Sequence, residues 1–356
     1  MVRRLKALGA VLAALGVSLI LLVPAASARP AVPRAFFGVV PQGPLAETDF
    51  ARMRGVVGTL RIPIYWSQVE PRPGELDLAG LDRIVAAAAQ ARVRVLPFVY
   101  GTPSWLASEP ARPPLRSAAR TAWARFLKTL VRRYGPGGEL WEAVPVPMPI
   151  RQWQIWNEPN FLLFWRPRPS PADYARLLRV SARTIRGLDP GARIVAAGLA
   201  PVEGGMLPWR FLSRLYEVPG VGRHFDLVAL HPYSSTLRGM VFQIRKARRI
   251  MRRAGDASAS LLVSEIGVAS ASLLPTGFNW GLEGQASFLR QAYSLLLDNR
   301  RRWRIAGADW YAWQDMSASD PHCVFCQHAG LLDASGRPKP AWRAFRRIAS
   351  TPRRGV

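Results

Sequence analysis

From about residue 35 onward, short runs rich in β-branched and aromatic residues trade places with longer stretches whose apolar residues recur at helical spacing. Eight of the short runs read as strands: 35–40 (AFFGVV), 56–64 (VVGTLRIPI), 92–100 (RVRVLPFVY), 150–156 (IRQWQIW), 192–199 (ARIVAAGL), 225–231 (FDLVALH), 260–266 (SLLVSEI) and 305–313 (IAGADWYAW). Between them, helical patterns begin at Leu81, Ser117, Ser170, Glu283 and Pro340. The one at Ser170 is punctuated most fully, with Ser170 as N-cap, Pro171 at the first helical position, Asp173 in the first turn and Asp189-Pro190-Gly191 as the stop. Alternation of this kind predicts a parallel sheet with crossover helices. Eight rounds of it predict one α/β domain over residues 35–350, a single (β/α)8 TIM barrel. A doubly wound open sheet would carry a glycine-rich phosphate turn after an early strand, and FFGVVPQG is not one. The Pro-rich stretches VEPRPGE, SEPARPPL, VPVPMPI and RPRPSP each border a strand and read as stiff loops.

The first 28 residues do not fit this pattern. Arg3, Arg4 and Lys6 precede an apolar run from Leu8 to Val23, and Ala26-Ser27-Ala28 supplies the small residues of a cleavage site, which is the arrangement of a secretory signal segment. An uncleaved anchor is the alternative, for which the run is slightly short. Either form places the domain outside the cell or on its surface.

Composition adds charge to the picture. The formal net charge is +26, and only Lys6, Lys128, Lys246 and Lys339 of the 49 basic residues are lysines. Such a chain is attracted to anionic partners, an acidic wall polymer or lipid headgroups among them. The densest run, RKARRIMRR from Arg245 to Arg253, has apolar residues near helical spacing and reads as the solvated face of an outer helix. No nucleic-acid-binding fingerprint accompanies it, so no nucleic acid partner is expected, and the chain is expected to be a monomer. Cys323 and Cys326, flanked by His322 and His328 in HCVFCQH, are expected to form a disulfide in an exported protein. A zinc site would draw all four ligands from one heptad, unlike the usual two-part spacing.

Residues at the C-terminal ends of barrel strands line the active site. Those ends bring Arg61, Trp66, Trp105, Asn157, Glu158, His231, Tyr233, Glu265 and Trp313 to one rim. Glycosidic cleavage needs one carboxyl that stays protonated to give its proton to the leaving oxygen, and one that stays ionised at the anomeric carbon. An ionised Glu265 would raise the pKa of Glu158, while Arg61 and Tyr233 would favour the charged form of Glu265. Trp66, Trp105 and above all Trp313 offer faces for sugar rings, and His231 reads equally as a core histidine. No G-x-S-x-G elbow, P-loop or H-E-x-x-H motif is present, so serine esterase, P-loop and zincin chemistry lack support.

WNEP at strand 4, HPY at strand 6 and SEIG at strand 7 resemble the motifs of the retaining glycoside hydrolases of clan A, especially the cellulase-like family 5 and the xylosidase-like family 39. The resemblance covers nearly the whole chain after Ala35. It implies Glu158 as acid/base, Glu265 as nucleophile, Asn157 on the sugar 2-hydroxyl, and Arg61 and Tyr233 as holders of the nucleophile. It also implies a β-linked glycan substrate and no cofactor or metal. A transglycosylase would share every one of these residues. A wall-associated or carbohydrate-binding protein on a faded barrel would keep the fold without needing all of them.

Overall fold

A computed structural model describes residues 31–271, 277–317, 323 and 325–351; the expected signal segment and His322 lie outside them. Strands β1 (Phe37–Val40), β2 (Thr59–Tyr65), β3 (Arg94–Tyr100), β4 (Gln152–Ile155), β5 (Arg193–Leu199), β6 (Leu227–Leu230), β7 (Ser260–Ile266) and β8 (Ile305–Tyr311) pair in parallel, each with the next, and β8 closes on β1. Around this barrel run α1 (Glu47–Met53), α2 (Trp66–Val69), α3 (Ala79–Gln90), α4 (Ser117–Tyr134), α5 (Pro171–Arg186), α6 (Pro208–Tyr216), α7 (Leu237–Arg253), α8 (Gly281–Asp298), α9 (Arg300–Trp303) and α10 (Pro340–Ser350). The predicted (β/α)8 TIM barrel is the observed fold.

Side chains alternate along each strand, so one set packs against the helices and the other fills the barrel. In β2, Leu60, Ile62 and Ile64 join the large core shared with the helices, while Arg61 between them turns inward. The inward set is layered. Leu96, Val195, Leu227, Ala229 and Leu262 form a separate apolar floor, and polar groups occupy the space above it. The helices close the outside with single apolar faces: α5 buries Tyr174, Leu177, Leu178 and Ile185 and starts where Ser170 Oγ accepts the Asp173 N–H at 3.3 Å. Such a cap contributes about 1 kcal/mol.

Four elements differ from the sequence reading. Helices α1 and α6 are too short to announce themselves by periodicity, at seven and nine residues. Helix α7 begins at Leu237, where Thr236 Oγ1 accepts the Gly239 N–H, well ahead of the basic run, and Arg248 within that run is buried with its guanidinium donating to the carbonyls of Ala257 and Ala259. Strand β8 ends two residues early, because the chain turns after Tyr311 and Trp313 N–H donates to Val40 at the end of β1. Cys323 and Cys326 are joined as a disulfide, which removes both thiolates from any zinc site. Among the described residues no helix is long and apolar enough to cross a membrane.

Candidate active site

The end of β4 is held in an unusual conformation. Trp156 and Glu158 both have positive φ, 68° and 40°, a region that costs L-residues roughly 1–3 kcal/mol each. Packing maintains it: Trp156 is buried against Trp123 and Trp165 and donates its indole N–H to Phe164 O, and the Glu158 backbone N–H donates to Gly198 O at 3.1 Å. The result turns the Glu158 carboxyl into the barrel mouth, 8% exposed. On β7 the register with β8 shifts between Val263 and Ile266, the span that carries Glu265. Irregularities of this kind re-aim a side chain, and Glu265 faces Glu158 across the mouth, also 8% exposed. One ligand atom from each of Glu158, His231 and Glu265 lies within 4.8 Å of the other two.

One guanidinium organises the group. Arg61, fully buried, donates Nη1 to Glu265 Oε1 at 2.6 Å, Nη2 to Asn157 Oδ1 at 2.9 Å and Nε to Gln154 Oε1 at 2.9 Å, with its plane 4.0 Å over the Phe98 ring. Tyr233 Oη donates to the other Glu265 oxygen at 2.7 Å. His231 Nδ1 sits 2.7 Å from Glu158 Oε1, and its Nε2 is 3.4 Å from Glu265 Oε1 without hydrogen-bond geometry. Gly198 makes this approach possible, since a Cβ there would overlap the imidazole of His231.

Burial raises Glu158 well above the ordinary carboxylate range; the nearby charge of Glu265 adds to that and Arg61 subtracts. Burial also raises Glu265, but Arg61 and the Tyr233 hydroxyl both oppose it. His231 is held well below the usual imidazole range, first by burial and then by the Arg61 charge, so it is neutral. A third carboxyl lies deeper. Asp309 of β8 is 1% exposed and neither of its oxygens has a hydrogen-bond partner. It occupies room left by Gly38, its register partner in β1, where a Cβ would overlap its carboxyl group. Burial pushes Asp309 well above its ordinary value as well, with Arg61 opposing and Glu265 reinforcing.

Above these groups opens a cleft of about 920 Å³. Its aromatic lining is Tyr65, Phe98, Tyr100, Phe161, Phe164, Tyr233, Phe278 and Tyr311, joined by Phe325 from the disulfide loop, and no Lys or Arg lines it among the described residues.

No family model matches the sequence, and no curated protein matches it. Solved structures do. A family 39 glycoside hydrolase from the gut symbiont Bacteroides cellulosilyticus WH2 superposes with a TM-score of 0.66 at 21% identity, over 90% of this chain and 64% of that one. A monomeric β-xylosidase from Caulobacter crescentus CB15 gives 0.66 at 17% identity, over 92% and 70%. A family 5 subfamily 18 protein from Bifidobacterium longum subsp. longum, in complex with Manβ1-4GlcNAc, gives 0.65 at 17%, over 88% and 77%. What the likeness shows is the fold, a (β/α)8 barrel shared with these glycoside hydrolase structures. The chain spans just under two thirds of the first of these relatives.

Within this barrel, six of the expected site residues meet at the mouth: Arg61, Asn157, Glu158, His231, Tyr233 and Glu265. The three tryptophans do not, which corrects their reading as sugar platforms. Trp66 starts α2 rather than ending β2, is fully buried, and donates its indole N–H to Glu70 Oε2. Trp105 packs edge-on against Trp66 and donates to Glu70 O, outside the cleft lining. Trp313, 1% exposed, donates to Asp49 Oδ1 and packs on Trp342. All three indole N–H groups are satisfied in the wall, as buried tryptophans require. The cleft aromatics that sequence reasoning missed include Tyr65 and Tyr100, the paired last residues of β2 and β3, and Tyr311 at the end of β8. Their signal was strand-end position. The barrel mouth holds one cluster close enough to ligate a cation, Glu158, His231 and Glu265, but Arg61 already satisfies Glu265 there and opposes a second positive charge.

Proposed function

We propose that the chain is an exported retaining glycosidase that hydrolyses a β-linked glycan by double displacement. The observation that carries this reading is the facing pair of buried carboxyls, whose oxygens approach within 4.8 Å. Retaining enzymes keep their carboxyls about 5–5.5 Å apart, and inverting ones roughly 6.5–9.5 Å to admit a water. The environments then divide the labour. Glu265, held by Arg61 and Tyr233, stays ionised and attacks the anomeric carbon; Glu158, raised by burial and by that charge, protonates the departing oxygen. In the second half, Glu158 takes a proton from water, which attacks the same carbon and frees Glu265.

We assign the proton of neutral His231 to Nδ1, donating to Glu158 Oε1. That leaves the acidic proton on Oε2, and leaves Nε2 bare opposite Glu265, which agrees with the absence of a hydrogen bond there. Asn157, fixed by Arg61, presents its amide to the sugar beside Glu158. The substrate we infer is uncharged. Among the described residues the cleft offers aromatic faces and is lined by no Lys or Arg, so an acidic wall polymer fits it poorly.

The test is reducing-end release from neutral β-glucans, xylans, mannans and galactans, beside an acidic β-linked glycan such as hyaluronan, with proton NMR following the first anomer formed. Retention of the β-anomer supports double displacement. A first product of α configuration would overturn the mechanism, and release only from acidic glycans would overturn the substrate class.

A further inference from the structure

The charge missing from the cleft is concentrated on the outer wall. Helices α7 and α8 leave a groove of about 600 Å³ edged by Arg238, Arg245, Lys246 and Arg249. Its floor is apolar, made by Leu237, Val241 and Phe242 of α7 with Leu295 of α8, and Phe242 is 51% exposed. Arg238, Phe242, Arg245 and Arg249 recur at one-face spacing along α7, so the helix presents cations and an aromatic ring on a common stripe. Some arginines elsewhere are paired with carboxylates, as Arg133 is with Asp82, Arg151 with Asp189 and Arg186 with Asp226. Among the described residues none of the four groove cations has an ion-pair partner. Lys246 lies instead over the rings of Trp209 and Phe242, at 4.6 and 5.3 Å.

We propose that this groove binds anionic lipid at a bilayer surface. A ligand that fits must bring negative charge to four unpaired cations and apolar surface to the floor at once. A phospholipid does both: its phosphate accepts hydrogen bonds from Arg and Lys, and its acyl boundary takes up Phe242. An acidic polysaccharide or a nucleic acid would also bring hydroxyl or amino donors, and among the described residues no Asp, Glu, Asn, Gln, Ser or Thr side chain lines the groove to accept them. No residue of α7 lines the cleft, so a bilayer against this helix leaves the barrel mouth open to substrate. The proposal stands apart from the glycosidase reading, because it uses no residue of that site.

The experiment is co-sedimentation of the full chain with vesicles of phosphatidylglycerol and phosphatidylcholine, beside pure phosphatidylcholine vesicles and beside polygalacturonate. The parent is compared with the triple variant Phe242→Ser, Arg245→Gln, Arg249→Gln, and with Arg245→Glu alone as the milder change. Thermal melting of each protein confirms that the fold is kept. The apolar run from Leu8 to Val23 is present in all, so neutral vesicles report its share and the difference between proteins reports the groove. The expected result is a loss of anionic-vesicle partitioning by roughly 30-fold in the triple variant, about fivefold for each arginine neutralised near an anionic leaflet. That difference shrinks in 1 M salt, where the screening length falls to about 3 Å. Equal sedimentation of parent and variants with the anionic vesicles overturns the proposal. So does groove-dependent retention on polygalacturonate without groove-dependent vesicle binding, which would make the ligand a polymeric acid.

Discussion

The floor and the mouth of this barrel are built on the same strands and obey opposite rules. Below, Leu96, Val195, Leu227, Ala229 and Leu262 fill the interior with apolar side chains alone. Above, Glu158, Glu265 and Asp309 share one buried guanidinium, beside a neutral histidine and two residues at positive φ. Burying three carboxyls against a single Arg61 is unfavourable unless protons neutralise the surplus. The comparison teaches that the mouth draws on stability that the floor and the helix core supply, and that chemistry and stability respond to substitution in separate places.

The strongest way to break that division is Glu265→Ala, which we expect to lower kcat by roughly four orders of magnitude or more, since an activated nucleophile is lost. Chemical denaturation should show the variant folded and destabilised by less than the loss of a lone buried ion pair, because Glu158 or Asp309 can ionise opposite Arg61 in its place. Glu158→Gln comes next, with a loss on the order of 10²–10⁴ in kcat on natural glycans. The deficit should be far smaller on aryl glycosides whose leaving group needs no proton; equal loss on both would remove Glu158 from the acid role. On the floor the currencies reverse. Leu227→Ala should destabilise by about 2–5 kcal/mol while kcat of the folded fraction stays unchanged.

Asp309→Asn sharpens the comparison inside the mouth. A carboxyl whose pKa is higher folded than unfolded contributes stability that is complete at low pH and lost as pH rises through its raised folded value. The asparagine variant should therefore melt above the parent near neutrality, with the gap widening from pH 4 upward by up to about 1.4 kcal/mol per pH unit until Asp309 ionises. A gap that does not change with pH would mean Asp309 is not protonated in the native barrel. The smallest effect expected is that of Trp313→Phe, about 1 kcal/mol of stability from the hydrogen bond to Asp49, with KM unmoved because the ring does not face the cleft.

Much of this was legible in the chain. All eight strands lie within the runs that periodicity and β-propensity mark, give or take a residue at some ends, and the motif carboxyls Glu158 and Glu265 do meet. What was not legible depends on direction rather than identity. Whether Trp313 or Tyr311 reaches the cleft hinges on where β8 stops, and a two-residue overshoot puts the wrong aromatic on the rim. Trp66 looked like a rim residue because its partner Glu70 is four positions on, across a helical turn too short to read. Gln154 and Asp309 are polar residues inside strands whose role comes only from neighbours 93 positions away, Arg61 for the first, or from the space left by Gly38 for the second. The lipid-facing stripe of α7 was visible as charge, but the unpaired state of its cations was not.

The bridge between Cys323 and Cys326 gives the cleft a dependence on place and time. Both half-cystines line the cleft, and Phe325 between them packs on Tyr233, which in turn holds Glu265. In a reducing cytosol that loop would be two thiols and a phenyl ring without its clip; after oxidation the wall is complete. The shape of the binding surface therefore follows the redox state around the chain, through one phenyl ring set against the tyrosine that holds Glu265.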